Sequence, residues 1–490
     1  MEYRPTIGLE IHAELSTRTK MFCDSANDPD EMRSNINVCP VCMAHPGTLP
    51  VINREAVRQV LRVGVAIGGT LADRSEFDRK SYFYPDIPKG YQISQYALPL
   101  VTGGSLAGVA VTRVHLEEDT ARSIHIDGKS LVDFNRAGIP LLELVTEPVI
   151  HDAETAGRFA RELQLLLRTL GASEANLEKG EMRIEANISV RPIRSDLEDS
   201  DLRSDLSRPL GTKVEVKNLN SFRSVERAIA FEVNRQIALI ENGEKVQQET
   251  RGWDESKQTT FHQRFKEGSA DYRYFPEPDL PKLFLAEIPE FSSKVIQASL
   301  PELPWSKRNR LVKNYELKEE IAELFLQDGA LGEFFEKVVS GRNADFVKLA
   351  VNYISSDLVA LLSARGGSAS GGKEKEGMLF PDADNFTKLI EMIISNKISS
   401  RGAKNILAHM VESNGDPEKI AQELDLIQIH DAVALGGIVD AVVTREEKAV
   451  LEYKSGKQAA LQYLVGKAMQ ESRGAGNPVE LQKLIIERIV

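Results

Sequence analysis

The sequence predicts an α+β chain, with a large domain on a mixed, mainly antiparallel sheet followed by all-helical modules. Two observations carry this. Up to about residue 290, short segments alternate apolar and polar residues with a period of two, and two long amphipathic helical patterns interrupt them. After Pro289 that alternation gives way to apolar residues spaced three or four apart.

In chain order, Ile7, Leu9 and Ile11 occupy one side of a first strand, and Gly8, Glu10 and His12 the other. Further strands are expected at Gly108 to Glu117, Ala121 to Ile126, Met182 to Arg191 and Thr212 to Val216. The first helix, His151 to Leu170, carries Phe159, Leu163, Leu166 and Leu170 on one stripe and stops at Gly171. The second, Ser221 to Glu241, follows a serine cap, repeats Val225, Ile229, Val233 and Ile237, and ends at Gly243. Residues 194–208 are acidic and repetitive, and read as a solvated loop. Pro301 and Pro304 mark a linker. Helices follow at Leu317 to Phe325, Leu331 to Val339, Asp345 to Leu362, Phe386 to Asn396 and Gly402 to Asn414. A glycine-rich excursion at 366–377 interrupts them, and short helices from Pro417 to a terminal one at Pro478 complete the chain.

Composition narrows the function. In 490 residues, 61 basic side chains face 73 acidic ones, a formal charge of -12. A surface wrapped in nucleic acid needs dense positive charge, so any such contact must be local. The N-terminus has neither a basic n-region nor an apolar core, and no apolar run reaches 18 residues, so a cytoplasmic protein without membrane spans is expected. Three cysteines do not make a disulfide framework.

Carboxylates cluster at the edges of apolar strands: Glu117, Glu118 and Asp119 in one segment, Glu143 and Glu147 in another, Glu185 in a third. Burying such groups unpaired is costly, and a divalent cation held by oxygens with one imidazole would reconcile them. Solvated strand ends are the competing explanation, and on the residues alone the simpler one. Cys39 and Cys42 form a CPVC half-knuckle that Cys23 could join, but three thiolates are one short of a closed zinc site. Metal knuckle and plain thiols stay open as readings. The aromatic segment 81–95 offers Lys89, segment 271–281 offers Arg273, segment 211–228 offers Lys217, and Arg251 lies near Glu249. Carboxylates with Lys and Arg beside capped turns suit phosphoryl transfer, although no GxxxxGK[ST] or GxGxxG is present.

IGLEIHAEL at 7–15, KMFC at 20–23, CPVC, HPGTLP at 45–50, SYFYPDIPKGYQISQ at 81–95 and HLEEDTA at 115–121 together resemble the B subunit of the tRNA-dependent amidotransferases. FNRAGIPLLE, VTEP, GTKVEVKNLNSFRSVERAI, DYRYFPEPDLP and VGKAMQESRGAGNP at 465–478 extend the resemblance over essentially the whole chain. It implies a cradle domain with a kinase-like site at 1–292, a helical domain at 293–405 and a YqeY-like tRNA-binding tail at 406–490. It further implies a heterotrimer, completed by an amidase-type glutaminase and a small belt-like third chain. The implied activity is that of a carbon–nitrogen ligase with glutamine as nitrogen donor. Using ATP and Mg2+, it phosphorylates the side-chain carboxylate of Glu-tRNA(Gln) or Asp-tRNA(Asn), and ammonia then displaces the phosphate.

On this resemblance Glu10, His12, Glu118, Glu185, Lys217 and Arg273 are the catalytic choices. Lys89, Lys217, Arg251 and Arg273 would bind the nucleotide and acceptor end. Glu10, His12, Glu118, Glu143 and Glu147 would hold magnesium. Where the family often has a second cysteine after Cys23, this chain has Asp24 and Ser25, so the resemblance does not carry a zinc ion over to Cys23, Cys39 and Cys42. Lys448, Lys454, Lys457, Lys467 and Arg473 would make the tail's phosphate contacts. A tRNA-binding scaffold without an active site is the competing class, separable by whether removing the carboxylates spares amidation.

Overall fold

The structure is a computed structural model that describes residues 2–193, 209–265, 272–364, 380–428, 432–472 and 476–489. The acidic stretch 194–208, the excursion 366–377 and Arg473 lie outside them. The chain divides into two compact units, Met1–Pro304 and Trp305–Val490.

The first unit is built on a ten-stranded sheet. Its centre is the strand Glu2–Glu14, paired antiparallel with Met182–Ile193 on one side and Pro140–Thr146 on the other. Val109–Glu118 continues the sheet beyond Pro140–Thr146. Val214–Lys217 continues it beyond Met182–Ile193 and pairs parallel with Glu249–Asp254, which makes the sheet mixed. Alternation gives the central strand two unlike faces. Ile7, Leu9, Ile11 and Ala13 are buried, whereas Glu10 and His12 point the other way. Helices Ala153–Thr169 and Phe222–Glu241 are amphipathic, and their buried residues, among them Phe159, Leu163, Val225 and Ile229, contribute to this core. Asp152 caps the first by accepting from the Thr155 amide, and Ser221 caps the second by accepting from the Ser224 amide.

Arg54–Ala66, capped by Asn53 and burying Val57, Val60, Leu61 and Val63, escapes the sequence pattern reading, as does the short helix Ser293–Ala298. Pro304, expected in a linker, instead starts the helix Pro304–Tyr315, because proline suits a first helical turn. A small separate sheet of Asp78–Ser81, Tyr91–Ser94 and Phe275–Pro276 brings the aromatic segments around 82 and 274 together.

The second unit is helical among the described residues. One apolar cluster runs from Leu311 to Ala421 and includes Phe325, Phe335 and Phe386, all fully buried. Another joins Leu435, Val439 and Val442 to Leu464, Leu481 and Ile485. The helix Ala344–Ala364 is long and apolar enough to cross a bilayer. Its Phe346, Tyr353, Ile354 and Leu358 are instead spent on the first of these cores, and a π turn at Tyr353–Leu358 lies in its middle.

Candidate active site

The polar face of the sheet gathers residues from five strands. Strand register sets His12 opposite Glu143 and Arg183, Glu143 opposite His115, and Glu10 opposite Glu185. Since side chains alternate, His115 and Glu117 share the face of Glu10, His12 and Glu143. His12 Nε2 lies 3.4 Å from Glu117 Oε1, 3.4 Å from Glu143 Oε2 and 3.9 Å from Glu10 Oε1. His115 Nε2 is 3.3 Å from the same Glu143 oxygen. Beside them Lys217 Nζ pairs with Glu185 at 2.9 Å.

Electrostatics tie these groups into one unit. Burial pushes the His12 imidazole down, but a hydrogen bond to Glu143 and the fields of Glu143, Glu117 and Glu10 outweigh it and hold it up at about 9. Burial also opposes ionisation of Glu143, and His115 and His12 overcome it, keeping that carboxyl well below the ordinary range. Glu10 is pushed up, first by burial and then by Glu143. Burial works against the charge on Lys80, and Glu117, Tyr274 and Glu143 more than restore it.

Among the described residues, Glu117 Oε2 and His115 Nδ1 are buried without a hydrogen-bond partner, in residues that are 3% and 2% exposed. An unpaired buried carboxylate oxygen is costly. Ligating atoms of Glu10, His12 and Glu143, and of His115, Glu117 and Glu143, lie within 4.8 Å of one another, close enough to share a cation. The donor set is oxygen-rich with imidazole nitrogen and suits a divalent metal.

The structure thus brings together Glu10, His12, Glu143, Glu185 and Lys217. It places Glu118, Glu147, Lys89 and Arg251 elsewhere. Glu118 leaves the opposite face of its strand, pairs with Lys89 and accepts from the Ile93 amide at 2.9 Å. Glu147 accepts from the Thr112 hydroxyl at 2.8 Å, beyond the end of its strand. Arg251 is bound to Glu249 at 2.9 Å and Thr260 at 2.9 Å, 3.6 Å from the fully buried Glu232 of the Phe222–Glu241 helix. Lys89 is committed to Glu118. Arg273 sits at a positive φ between Tyr272 and Tyr274. Lys80 and His115 are cluster members that sequence reasoning did not name, and Glu117 was named among the strand-edge carboxylates but passed over for Glu118 as a ligand.

The three cysteines form a second group, their Sγ atoms within 4.8 Å of one another. Ser25 Oγ stands 3.8 Å from Cys42 Sγ, and the fully buried Lys20 is 3.8 Å from it on another side. A hydrogen bond from Cys23 is the largest effect holding Cys42 down at about 4, and the same bond, with burial, pushes Cys23 up. One thiolate charge here already faces a lysine, and a closed tetrahedral site lacks its fourth sulfur.

The sequence matches known proteins from end to end. A family model described as the GatB/GatE catalytic domain matches residues 5–288, and one described as the GatB domain matches residues 333–489. The chain is 43% identical to the aspartyl/glutamyl-tRNA(Asn/Gln) amidotransferase B subunit of Thermomicrobium roseum, over 100% of this chain and 99% of the relative. It is 41% identical to the B subunits of the same name from Moorella thermoacetica, over the full length of both, and from Thermus thermophilus, over 99% of each.

Proposed function

This chain belongs to the family of aspartyl/glutamyl-tRNA(Asn/Gln) amidotransferase B subunits, and from that premise we propose that its carboxylate–imidazole cluster is where the amino acid on a misacylated tRNA is activated. The substrate is Glu-tRNA(Gln), Asp-tRNA(Asn) or both, and the product is the corresponding Gln-tRNA(Gln) or Asn-tRNA(Asn). The chain works in a heterotrimer with the glutaminase and the small third chain, in the cytoplasm where translation draws on its products. A carboxylate is a poor electrophile for ammonia because its leaving group is oxide. Attack of a side-chain carboxylate oxygen on the γ-phosphorus of ATP breaks the β–γ bond, releases ADP and yields an acyl phosphate. Ammonia, supplied by the glutaminase, then attacks the acyl carbon, phosphate departs, and a proton is lost to give the amide.

The observation that carries this reading is the pair of unpartnered atoms, Glu117 Oε2 and His115 Nδ1, in a cluster where His12 already stands 3.4 Å from two carboxylates. Glu10, His12, Glu117 and Glu143 would hold magnesium, which when bound neutralises phosphate charge. Lys217, aligned by Glu185, and Lys80 supply fixed positive charge beside it, where a transferring phosphoryl group spreads charge over its oxygens. Arg273 is the choice for a contact to the acceptor end. The Cys23, Cys39 and Cys42 group takes no part in these steps.

The test is amidation by the assembled complex with Glu-tRNA(Gln), ATP and ammonium, which bypasses the glutaminase. Glu117→Gln should lower turnover by about 100-fold or more while leaving tRNA binding intact. Wild-type turnover in that variant would remove the cluster from the chemistry.

A further inference from the structure

Beside the cluster runs a row of tyrosines that the activation chemistry leaves unused. Tyr274 lies in the field of Lys80, Glu117 and Glu143. Its ring meets Tyr272 edge-on at 6.2 Å and 75°, and the Lys80 ammonium sits 5.0 Å from the Tyr272 ring centre. On Tyr274 lies Tyr96, stacked at 4.6 Å and 18°. Tyr96 is 59% exposed. The row therefore leads from the buried carboxylates to solvent.

Tyr96 is held in place from behind. Its amide and that of Ala97 both donate to the buried Asp78, at 2.9 and 3.1 Å. The preceding Gln95 donates to Ser75 Oγ at 2.6 Å and accepts from the Leu116 amide at 3.0 Å. A second parallel pair, Tyr82 and Tyr84 at 5.1 Å and 3°, follows in the same aromatic region, next to the exposed Phe83. Single exposed aromatic side chains are common on protein surfaces. A rigidly backed, flat ring stacked beside a charged cluster is a surface on which unpaired nucleobases stack, because every base offers a π face.

We propose that the Tyr96–Tyr274 pair is a stacking platform for the unpaired 3′-terminal base of the aminoacyl-tRNA, setting the esterified amino acid at the carboxylate cluster. The inference rests on the activation reading above. The occupant follows from connectivity: the amino acid is esterified to the last nucleotide, so a base platform whose inner ring, Tyr274, lies in the field of Glu117 and Glu143 serves the group that must enter the cluster. Tyr96 is a positioning residue for that end, and the adenine of ATP is the rival occupant.

The assembled complex tests this with ammonium as nitrogen donor. Tyr96→Ala should raise KM for Glu-tRNA(Gln) about tenfold, with kcat and KM for ATP changing less than about twofold, and Tyr96→Phe should restore KM because it keeps the ring. In direct binding, wild type should prefer intact tRNA over tRNA trimmed of its last nucleotide by about tenfold, and Tyr96→Ala should bind the two equally. A rise in KM for ATP alone, an unchanged KM for tRNA, or a Phe variant as impaired as Ala overturns the proposal. If the wild-type complex fails to amidate, the activation reading falls, and the trimmed-tRNA comparison still decides the platform.

Discussion

In the metal-free chain His12 is a cation at neutral pH, because its pKa is raised from 6.5 to about 9. A ligating imidazole nitrogen must be neutral, so a divalent cation has to expel that proton. Magnesium affinity should therefore fall as pH drops below about 9, and calorimetry at pH 7.5 in buffers of different ionisation enthalpy should show release of close to one proton. Proton-neutral binding would place the ion away from His12. The same shift has a stability sign. The charged imidazole stabilises the metal-free fold fully below about 6.5, and that contribution fades as pH rises through about 9. At this scale the sequence was half legible. Glu10 and His12, two apart in an evident strand, declared a shared face. Glu117 and Glu118 are neighbours, and choosing between them needs the parity of a strand whose register is set by Pro140–Thr146. The His115–Glu117 spacing repeats the two-residue spacing of Glu10 and His12, and was the signal available.

Elements were legible where periodicity ran long. The helices capped by Asp152 and Ser221 lie within two residues of their expected bounds. The helix Arg54–Ala66 was missed although Asn53 and the spacing of Val57, Val60, Leu61 and Gly64 mark it. The π turn at Tyr353–Leu358 leaves no periodic trace, since one extra residue in a turn hides within an apolar run. Close packing makes its own prediction in the helical unit. A Cβ on Gly332 would stand 2.3 Å from the Phe325 carbonyl oxygen, a backbone atom that cannot swing aside. Gly332→Ala should cost about 1–3 kcal/mol in chemical denaturation, and an unchanged midpoint would mean that the two helices can separate freely.

On the scale of the whole chain, a net charge of -12 and a polyanionic substrate are reconciled only if contact is local. Lys454 and Lys457 are exposed in the last helical cluster's part of the chain, and we expect the pair to face phosphate. The double substitution Lys454→Glu and Lys457→Glu should weaken tRNA binding by the assembled complex and lower the slope of log affinity against log salt by about 1–2. It should leave the kcat of amidation at saturating tRNA unchanged. A salt slope equal to wild type would assign these lysines to solvent. The division after Pro304 lies about fifteen residues beyond the change of composition near Pro289. What no composition reveals is that five strands distant in sequence converge on one polar face.

That convergence constrains how the family can vary. Because the cluster is written in strand parity rather than in a loop, a single inserted or deleted residue in the regularly paired stretches Arg113–Glu118 or Pro140–Val145 would exchange its acids for leucines, turning Leu116 or Leu144 toward the cluster and Glu117 or Glu143 toward the core. Length changes should therefore be tolerated in the turns between strands, or at the irregularity where the pairing skips Thr112, and not in the stretches that carry Glu117 and Glu143.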